Sequence, residues 1–445
     1  MSNQEFISAS EFCDLVTDGT HDSPKKTETG IKLVTSKNIV GGSLDLTSAY
    51  FISELDARNI NKRSQVHRND VLLSMIGTVG EVALIEKEPD FVIKNVGLLK
   101  NSDSKKARWL YYYLKSPIAQ NLIKDRLRGT TQQYIPLGEL RNLPILKPNS
   151  EEHLQNTIEQ LSSLDKKIQL NTQINQTLEQ IAQALFKSWF VDFDPVRAKV
   201  QALSDGLSLE QAELAAMQAI SGKTPEELTA LSQTQPERYA ELAETAKAFP
   251  CEMVEVDGVE VPKGWKLSTI GDCYDVVMGQ SPKGETYNEN KQGMLFYQGR
   301  AEFGWRFPTP RLFTTDPKRI AEQNSILMSV RAPVGDINIA LEKCCIGRGL
   351  AALQHKSKSL SFGLYQIQSI KPELDLFNGE GTVFGSINQA NLKNIQIINP
   401  DKKFIQLFEK YLSPFDSRIM NNEIENNVLK EIRDLLLPRL LNGES

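Results

Sequence analysis

The chain has 445 residues, of which 40% are hydrophobic and 24% charged, a composition typical of a soluble protein with two or three domains. Its apolar runs are far shorter than the roughly 20 residues of a membrane-spanning helix, and its N-terminus does not resemble a secretion signal. Its five cysteines and four histidines are scattered, without the spacing of a disulfide framework or of metal ligands. We therefore expect a cytoplasmic protein with no membrane contact and no metal site.

The net charge of −5 is distributed unevenly along the chain. Residues 201–261 contain twelve acidic and three basic residues, which leaves a net charge of +4 for the rest of the chain. A protein that binds DNA unaided has a denser positive surface than this. We therefore expect either that DNA is not the partner, or that another subunit supplies much of the phosphate neutralisation.

The first module, residues 1–150, has the pattern of a domain that mixes strands and helices. Apolar and β-branched runs between glycines predict strands over Ile31–Thr35, Val71–Met75 and Val82–Ile85. Trp109–Leu114 has helical character, and this helix is predicted to end at Pro117. We predict an α+β domain for this module.

A long helix follows, which we assign to residues 151–200. Apolar residues recur at two heptad positions and form a seam of the kind that pairs helices in coiled coils. One position holds Leu161, Ile168, Asn175, Ala182 and Trp189, and the other holds Leu164, Asn171, Leu178 and Leu185. From Leu154 to Phe190 the helix would be about 55 Å long. Residues 201–264 are then predicted to form an acidic helical insert or linker, whose role we cannot assign.

The second module, residues 265–400, and a distal helix over residues 401–445 repeat the first half of the chain. Asn324–Asp336 matches Asn69–Glu81 at five of thirteen positions, and the alignment continues down the chain while its offset falls from 255 to 251 residues. The distal helix has the same seam, with Leu412, Ile419, Asn426, Arg433 and Leu440 at one position and Phe415, Asn422, Leu429 and Leu436 at the other. A period this long indicates two homologous modules and pseudo-two-fold symmetry rather than a solenoid.

Both long helices place asparagine at the same two seam positions, Asn171 with Asn422 and Asn175 with Asn426. A polar residue in an apolar seam lowers stability but fixes the register of the paired helices. The alternative is that these side chains lie on the helix flank in water. Their coincidence in both repeats favours paired helices in a fixed register.

Short patterns that suggest catalysis have no support elsewhere in the chain. Asp90, Asp103 and Lys105 match a loose nuclease pattern, but the second module has no counterpart. Phe377–Gly381 resembles a loop that binds S-adenosylmethionine, but no Asn-Pro-Pro-aromatic tetrapeptide follows it. We therefore expect no catalytic residues.

Polar loops in equivalent places of the two modules are the strongest candidates for a binding function. Arg, Lys, Asn and Gln can pair with base edges, while Ser and Thr reach phosphates. The alternative for each residue is an ordinary solvated loop. The predicted DNA-binding residues are Lys25, Lys26, Lys37, Arg128, Gln132, Gln133 and Tyr134 in the first module, and Gln280, Ser281, Lys283, Arg300, Arg331, Arg348, Thr382 and Asn388 in the second.

Three segments carry a resemblance to a known family. Leu185–Lys199, at the end of the first long helix, is similar to the central conserved region of the specificity subunits of Type I restriction–modification systems. Val261–Trp265 resembles the start of their second target-recognition domain, and Leu435–Gly443 resembles their distal conserved region. The resemblance spans essentially the whole chain. The recognition loops vary within this family, so their residues cannot be carried over one by one.

The resemblance implies an α+β fold in which two target-recognition domains are separated by two long antiparallel coiled-coil helices. Each domain would read one half of a bipartite double-stranded DNA target, and the helices would set the spacing and dock two modification subunits that use S-adenosylmethionine to methylate adenine. Restriction/translocase subunits, with ATP and Mg, would complete the complex, and this chain itself would hold no cofactor. Residues expected to serve helix pairing and subunit docking are Asn171, Asn175, Leu178, Leu185, Trp189, Asn422, Asn426, Leu429 and Leu436.

Two other classes of function stay open at the level of sequence. A stand-alone DNA-binding regulator would have no modification-subunit gene beside its own. A methyltransferase or nuclease with its own site would bind S-adenosylmethionine or a divalent metal as the isolated chain.

Overall fold

In the computed structural model of the chain, the two copies of the repeat fold alike. Each copy begins at an asparagine with a positive φ, 72° at Asn69 and 63° at Asn324, and continues as a buried strand. The last residue of each strand is a serine whose Oγ accepts a hydrogen bond from the backbone N–H seven residues later, at 2.8 Å for Ser74 and 2.9 Å for Ser329. The residues that the copies share therefore build the same strand and turn.

The structure describes residues 5–379 and 385–444, and the chain divides into two units. Unit one contains Met1–Gln173 and Asn422–Ser445, and unit two contains Ile174–Asn421. The boundary lies inside both long helices, which were predicted as segments of their own. Each unit therefore includes a part of both helices.

Unit one is built on a four-stranded antiparallel sheet and a three-stranded sheet. Its strands are β1 (Phe6–Ser8), β2 (Leu15–Asp18), β3 (Ile31–Val34), β4 (Ile39–Val40), β5 (Ser43–Leu44), β6 (Tyr50–Ile52), β7 (Val71–Ser74), β8 (Val82–Leu84), β9 (Phe91–Ile93), β10 (Val96–Lys100) and β11 (Pro144–Leu146). The larger sheet has the order β2-β10-β7-β8 and the smaller one β6-β3-β9, while β4 pairs with β5 and β1 with β11. The three strands predicted in this module are found as β3, β7 and β8.

Among the helices of unit one, α3 buries a run of aromatic residues in the core. They are α1 (Ala9–Phe12), α2 (Glu54–Ser64), α3 (Ser104–Lys115), α4 (Pro117–Lys124), α5 (Leu137–Arg141) and the first part of α6 (Glu151–Phe190). Trp109 of α3 is fully buried and belongs to the same core cluster as Leu154 and Ile158 of α6. Asp103, part of the loose nuclease pattern, caps α3 by accepting from two backbone N–H groups. Its role is therefore structural.

Unit two has a four-stranded sheet that corresponds to that of unit one, and a five-stranded sheet. Its strands are β12 (Met253–Val256), β13 (Val259–Pro262), β14 (Lys266–Thr269), β15 (Tyr274–Met278), β16 (Tyr287–Asn288), β17 (Met294–Tyr297), β18 (Leu312–Thr314), β19 (Ile320–Ala321), β20 (Ile326–Ser329), β21 (Ile337–Ile339), β22 (Cys344–Ile346), β23 (Leu350–His355) and β24 (Gln396–Asn399). The sheet orders are β15-β23-β20-β21 and β16-β18-β17-β22-β19, and the remaining strands pair as β12-β13 and β14-β24.

The helices of unit two correct two predictions about the middle of the chain. They are α7 (Asp194–Ser204), α8 (Leu209–Ser221), α9 (Pro225–Thr234), α10 (Pro236–Ala248), α11 (Ile270–Cys273), α12 (Leu360–Ser369), α13 (Lys371–Asp375), α14 (Gln389–Asn394) and α15 (Lys402–Leu441), the last continuing into unit one. The prediction of one helix over residues 151–200 was wrong, because Phe193 has a left-handed φ of 58° between α6 and α7. The insert is not helical throughout, because it ends in the hairpin of β12 and β13.

The insert is part of the core of unit two. Trp189, near the end of α6, is 1% exposed and meets Phe249 of the insert edge to face, with ring centroids 5.2 Å apart. Phe408 of α15 packs on the same indole at 5.8 Å. The insert therefore contributes to the core that covers the end of α6.

The long helices run antiparallel where they pair within unit one. His153 Nε2 lies 2.6 Å from Leu440 O, and further along α6 Asn171 Nδ2 donates to Asn426 Oδ1 at 3.1 Å. None of the seam positions named above is exposed. The four seam asparagines are at most 1% exposed, which excludes the alternative that they lie on a flank in water: Asn171, Asn175, Asn422 and Asn426.

Candidate nucleic-acid interface

Three loops of unit one leave the same edge of its four-stranded sheet. β10 is antiparallel to β2 and to β7, with Gly97 opposite Asp18 and Val96 opposite Ser74. The chain therefore leaves β2 and β7, and enters β10, at a single edge. These loops comprise residues 19–26, 76–80 and 94–95.

Hydrogen bonds join these loops to two others and form one surface. Asn95 N donates to Thr20 O at 3.1 Å, and Ser36 Oγ donates to Asn95 O at 3.1 Å. Ile76 forms an isolated β-bridge with Tyr134, and its N–H donates to Ser36 Oγ at 3.4 Å. We define the first loop cluster as residues 19–26, 36–38, 76–80, 94–95 and 128–134.

All seven DNA-binding residues predicted in the first module lie in the first loop cluster and are exposed: Lys25, Lys26, Lys37, Arg128, Gln132, Gln133 and Tyr134. Among the residues that the structure describes, no carboxylate lies within 4.0 Å of the ammonium groups of the three lysines. Lys26 Nζ lies over the ring of Tyr50, 4.9 Å from its centroid. An ammonium group without a counter-charge is available to a phosphate.

The last loop of this cluster is a tight hairpin. Arg128 and Tyr134 exchange both backbone hydrogen bonds, at 2.8 and 2.9 Å, which exposes Gln132 between them. The guanidinium of Arg128 lies 2.8 Å from Glu139, and both side chains are partly exposed. An exposed ion pair of this kind contributes little to stability. Arg128 can therefore exchange this partner for another at small cost.

Unit two brings together five loops in the corresponding places. Backbone hydrogen bonds of 2.8 to 2.9 Å connect them: Gly347 N to Tyr297 O, Val330 N to Gly349 O, and Ala332 N to Gly385 O. Ser281 Oγ also accepts from Arg348 N at 3.3 Å. We define the second loop cluster as residues 279–283, 298–300, 331–336, 347–349 and 385–388.

The candidate residues of the second module differ in whether their side chains are already paired. Arg331 and Arg348 are exposed, and no carboxylate of the described ranges lies within 4.0 Å of either guanidinium. Gln280 is exposed and Ser281 is half-buried. By contrast, Arg300 Nε lies 2.7 Å from Asp336 Oδ2, and Lys283 Nζ lies 3.9 Å from Glu285 Oε1.

Two residues of the second module need separate comment. Asn388 caps α14, because its side chain accepts a hydrogen bond from Asn391 N at 2.8 Å. Its side-chain oxygen is therefore used within the protein, which argues against its prediction as a base-reading residue. Thr382 lies outside the described residues.

Two further polar residues of the clusters, Lys94 and Gln298, are not among the residues predicted to bind DNA. Lys94 Nζ donates to Ser23 Oγ at 2.5 Å, beside Asn95, whose φ is +53°. In the second cluster, the backbone of Gln298 lies close to Gly347. A Cβ added at Gly347 would be 2.7 Å from the carbonyl oxygen of Gln298. Sequence signals for both places exist. Asn95 lies between two strands, beside Lys94, and two glycines flank Arg348 in the loop that Gln298 approaches.

The nine helix residues predicted to serve helix pairing and subunit docking lie in the seam, and their role in docking is corrected in part. Five of them are at most 1% exposed and so offer no surface to a partner: Asn171, Asn175, Trp189, Asn422 and Asn426. The four leucines at positions 178, 185, 429 and 436 are half-buried in the seam. The part of α15 in unit one instead exposes an apolar stripe on the face opposite the seam, with exposed fractions of 40% to 68%: Ile424, Val428, Ile432 and Leu435. Their spacing of four, four and three residues places them on one helical face.

Over residues 5–379 and 385–444, no helix is long and apolar enough to cross a membrane. In the same ranges, no group of three or more His, Cys, Asp or Glu side chains is arranged to hold a metal ion.

Two homologous domains, each with an exposed cluster of cationic and amide-bearing loops, match a described family. Residues 1–180 and 262–432 match the family described as "Type I restriction modification DNA specificity domain". The chain belongs to this family, the specificity subunits of Type I restriction–modification systems, and the resemblance predicted from its conserved segments is confirmed.

Individual relatives agree with this assignment. The chain is 46% identical over 347 residues to the Type I restriction enzyme HindI specificity subunit of Haemophilus influenzae, and the match covers 73% of each chain. It is 26% identical over 446 residues to the putative type I restriction enzyme MjaX specificity subunit of Methanocaldococcus jannaschii, covering 98% of this chain and 92% of the relative. Neither is named as a stand-alone regulator, a methyltransferase or a nuclease.

A solved structure agrees at the level of the fold. The crystal structure of the Type-I restriction-modification system S subunit from M. genitalium superposes with a TM-score of 0.54 at 15% identity, covering 99% of this chain and 97% of the other. The predicted α+β architecture is thereby confirmed.

Proposed function

We propose that each unit of this specificity subunit reads one half of a bipartite double-stranded DNA target through its loop cluster. The observation that supports this most strongly is the duplication: equivalent loops meet at the same sheet edge in both units, but their side chains differ. A shared framework with different loop residues is the arrangement that two different half-sites require.

The side chains of the clusters divide by the kind of contact that they can make. Lys25, Lys26 and Lys37 carry ammonium groups suited to phosphates, which position a protein on the duplex without reading sequence. Gln132 and Gln133 can pair with adenine, and Arg331 and Arg348 with guanine. We assign base reading to these four residues and backbone contacts to the lysines.

The same proposal includes protein partners. The apolar stripe of α15 is suited to dock a modification subunit, because its four apolar side chains lie on one helical face and are 40% to 68% exposed. In the assembled system two such subunits would supply S-adenosylmethionine and the methyl transfer. Restriction/translocase subunits would supply the reaction with ATP and Mg. The +4 net charge outside the acidic insert is consistent with DNA affinity that depends on these partners.

Sequencing of methylated DNA from cells that carry the assembled system tests the assignment of half-sites. We expect Gln132→Ala combined with Gln133→Ala to alter the bases required in one half-site only, and Arg348→Gln to alter the other half only. Lys62→Gln changes an exposed lysine of α2 outside the clusters and should leave both halves intact. A substitution in one unit that altered both half-sites, or neither, would contradict the proposal.

A further inference from the structure

We infer that Arg306 is a positioning residue that anchors two loops of the second loop cluster on the long helices of unit two, and thereby sets base discrimination in one half-site. The inference rests on the proposed function of that cluster. Arg306 itself lies outside the cluster and is 6% exposed, so its side chain is not available to read a base.

The guanidinium of Arg306 is held between both long helices. One end is bonded to Glu179 of α6 and the other to Asp416 of α15. Its Nη1 also donates to Tyr365 Oη at 3.2 Å, and Ser361 Oγ donates to Asp416 at 2.5 Å. Burial raises the pKa of Asp416, and the guanidinium opposes that rise. The arginine therefore places one positive charge between two carboxylates in a buried part of unit two.

Arg306 ends a segment that begins in the second loop cluster. We name residues 298–306 the strap. Along the strap, Arg300 Nε lies 2.7 Å from Asp336, and Gly304 exchanges two hydrogen bonds of 3.0 Å with the side chain of Asn338. Arg306 O accepts from Ile339 N at 2.9 Å.

These contacts tie two loops of the cluster to one anchor. The strap contains the loop 298–300 itself. It also bonds to Asn338 and Ile339 of β21, the strand that directly follows the loop 331–336. Because base recognition requires side chains to be placed within a fraction of an ångström, the fixed end of the strap determines where both loops lie. A one-ångström shift at the helices would displace Arg300 and the loop that carries Arg331.

Unit one has an acid and a tyrosine in the places of Asp416 and Tyr365, but the arginine that pairs with the acid comes from a different element. Asp165 and Tyr112, which correspond to Asp416 and Tyr365 in the repeat, are 3.0 Å apart through the tyrosine hydroxyl. The arginine that meets Asp165, at 2.9 Å, is Arg433 of α15. The positive charge in unit one therefore comes from the helix and not from a segment of its loop cluster. The strap anchor is specific to unit two.

The first experiment replaces Arg306 by Met in the full-length chain, assembled with the modification subunit of its own system. The measurement is the ratio of methylation rates on DNA with correct and with single-base-altered half-sites. We expect this ratio to fall by about tenfold in the half read by unit two and to stay unchanged in the half read by unit one. Equal ratios for the variant and the natural chain in both halves would overturn the inference.

A second variant separates positioning from loss of stability. Arg306→Met leaves two buried carboxylates unpaired, so it also destabilises unit two. The triple variant Arg306→Met/Glu179→Gln/Asp416→Asn removes all three charges and should recover thermal stability without restoring the anchor. We expect base discrimination to remain low in the triple variant. Recovery of both stability and discrimination would reduce Arg306 to a structural ion pair and overturn the inference.

Two controls complete the experiment. Lys343→Gln removes an exposed ion pair with Glu322 in the same unit and should change neither stability nor discrimination. The natural complex must itself discriminate both half-sites. If it does not, the proposed function of the loop clusters fails. If it does and the Arg306 variants discriminate equally well, the inference about the strap fails alone.

Discussion

At the scale of single residues, the loop clusters contain two kinds of cation that the sequence cannot distinguish. Lys37 has no carboxylate within 4.0 Å in the described part of the chain, whereas Arg300 is bonded to Asp336. The first kind offers its full charge to a ligand, and the second also holds the loop in place. The sequence predicts both as contacts because partners such as Arg300 and Asp336 are distant along the chain.

Lys37→Gln tests the contribution of an unpaired cation. If Lys37 contacts a phosphate, the assembled complex should bind specific and non-specific DNA more weakly by similar factors, and the slope of log K against log salt concentration should fall by about 1. Fluorescence anisotropy at several salt concentrations measures both. Arg58→Gln, which removes an exposed arginine already paired with Glu54 at 3.1 Å, is the matched control. An unchanged slope for Lys37→Gln would remove this residue from the interface.

His355 makes the stability of unit two depend on pH. It is 6% exposed, and burial, assisted by Lys356, lowers its pKa from 6.5 to about 4. Between these two values the unfolded chain binds a proton that the folded chain does not, so stability is complete above pH 6.5 and falls as the pH drops towards 4. From pH 7 to pH 5 the loss due to His355 is about 2 kcal/mol.

Urea denaturation of the natural chain and of His355→Gln at pH 7 and pH 5 measures this contribution. The drop in the free energy of unfolding between the two pH values should be smaller in the variant by about 2 kcal/mol, since all other titrating groups are shared. An equal drop in both proteins would mean that His355 takes up its proton near its ordinary pKa in the folded state.

At the scale of elements, α15 presents two faces with different roles. Its seam face buries Asn422 and Asn426, and its opposite face exposes the apolar stripe. A buried seam with a polar residue fixes register, while an exposed apolar stripe is suited to a partner. The two faces can therefore be altered separately.

Ile424→Asp combined with Ile432→Asp tests the stripe as a docking surface. These side chains are 48% and 40% exposed, so the helix should fold as before. If they bury against a modification subunit, its affinity should fall about 100-fold, the equivalent of losing two large apolar contacts. Size-exclusion chromatography with light scattering measures assembly, and circular dichroism measures helix content. Leu55→Asp, at an exposed position of α2, is the control, and undiminished assembly of the double variant would exclude the stripe.

The heptad pattern predicted the seam because burial follows the 3.5-residue period of paired helices. The break between α6 and α7, inside the segment 151–200, was missed because Phe193, an aromatic residue without a glycine's conformational freedom, takes the left-handed conformation. The hairpin in the insert did have a signal: Asp257 and Gly258, both with positive φ, lie between runs that alternate valine and glutamate. The acidic composition of the insert concealed that alternation.

At the scale of the whole molecule, the repeat predicted the duplicated framework because shared residues such as Ser74 and Ser329 make the same backbone contacts. It could not predict Arg306, whose partners are 110 and 127 residues away in sequence. It also could not predict that the equivalent charge in unit one comes from Arg433. Such differences arise from tertiary contacts that a sequence repeat does not record.

The repeat also makes the length of the two long helices a variable that can be changed without altering either loop cluster. The boundary between the units lies after Gln173 in α6 and after Asn421 in α15. Inserting seven residues at both points preserves the seam register, because the seam repeats every seven residues. Each helix becomes longer by about 10 Å, which corresponds to about three base pairs of duplex.

If the helices set the distance between the half-sites, methylation mapping of cells carrying this variant should find the two half-sites unchanged and the spacer between them about three base pairs longer. Inserting the seven residues into α6 alone shifts Asn175 and the seam beyond it out of register with α15, so that variant should fail to assemble. A double insertion that altered the half-sites and left the spacer unchanged would contradict the assignment of spacing to the helices. Base reading would then depend on helix length. The proposal that each loop cluster reads its half-site on a framework of its own would fail with it.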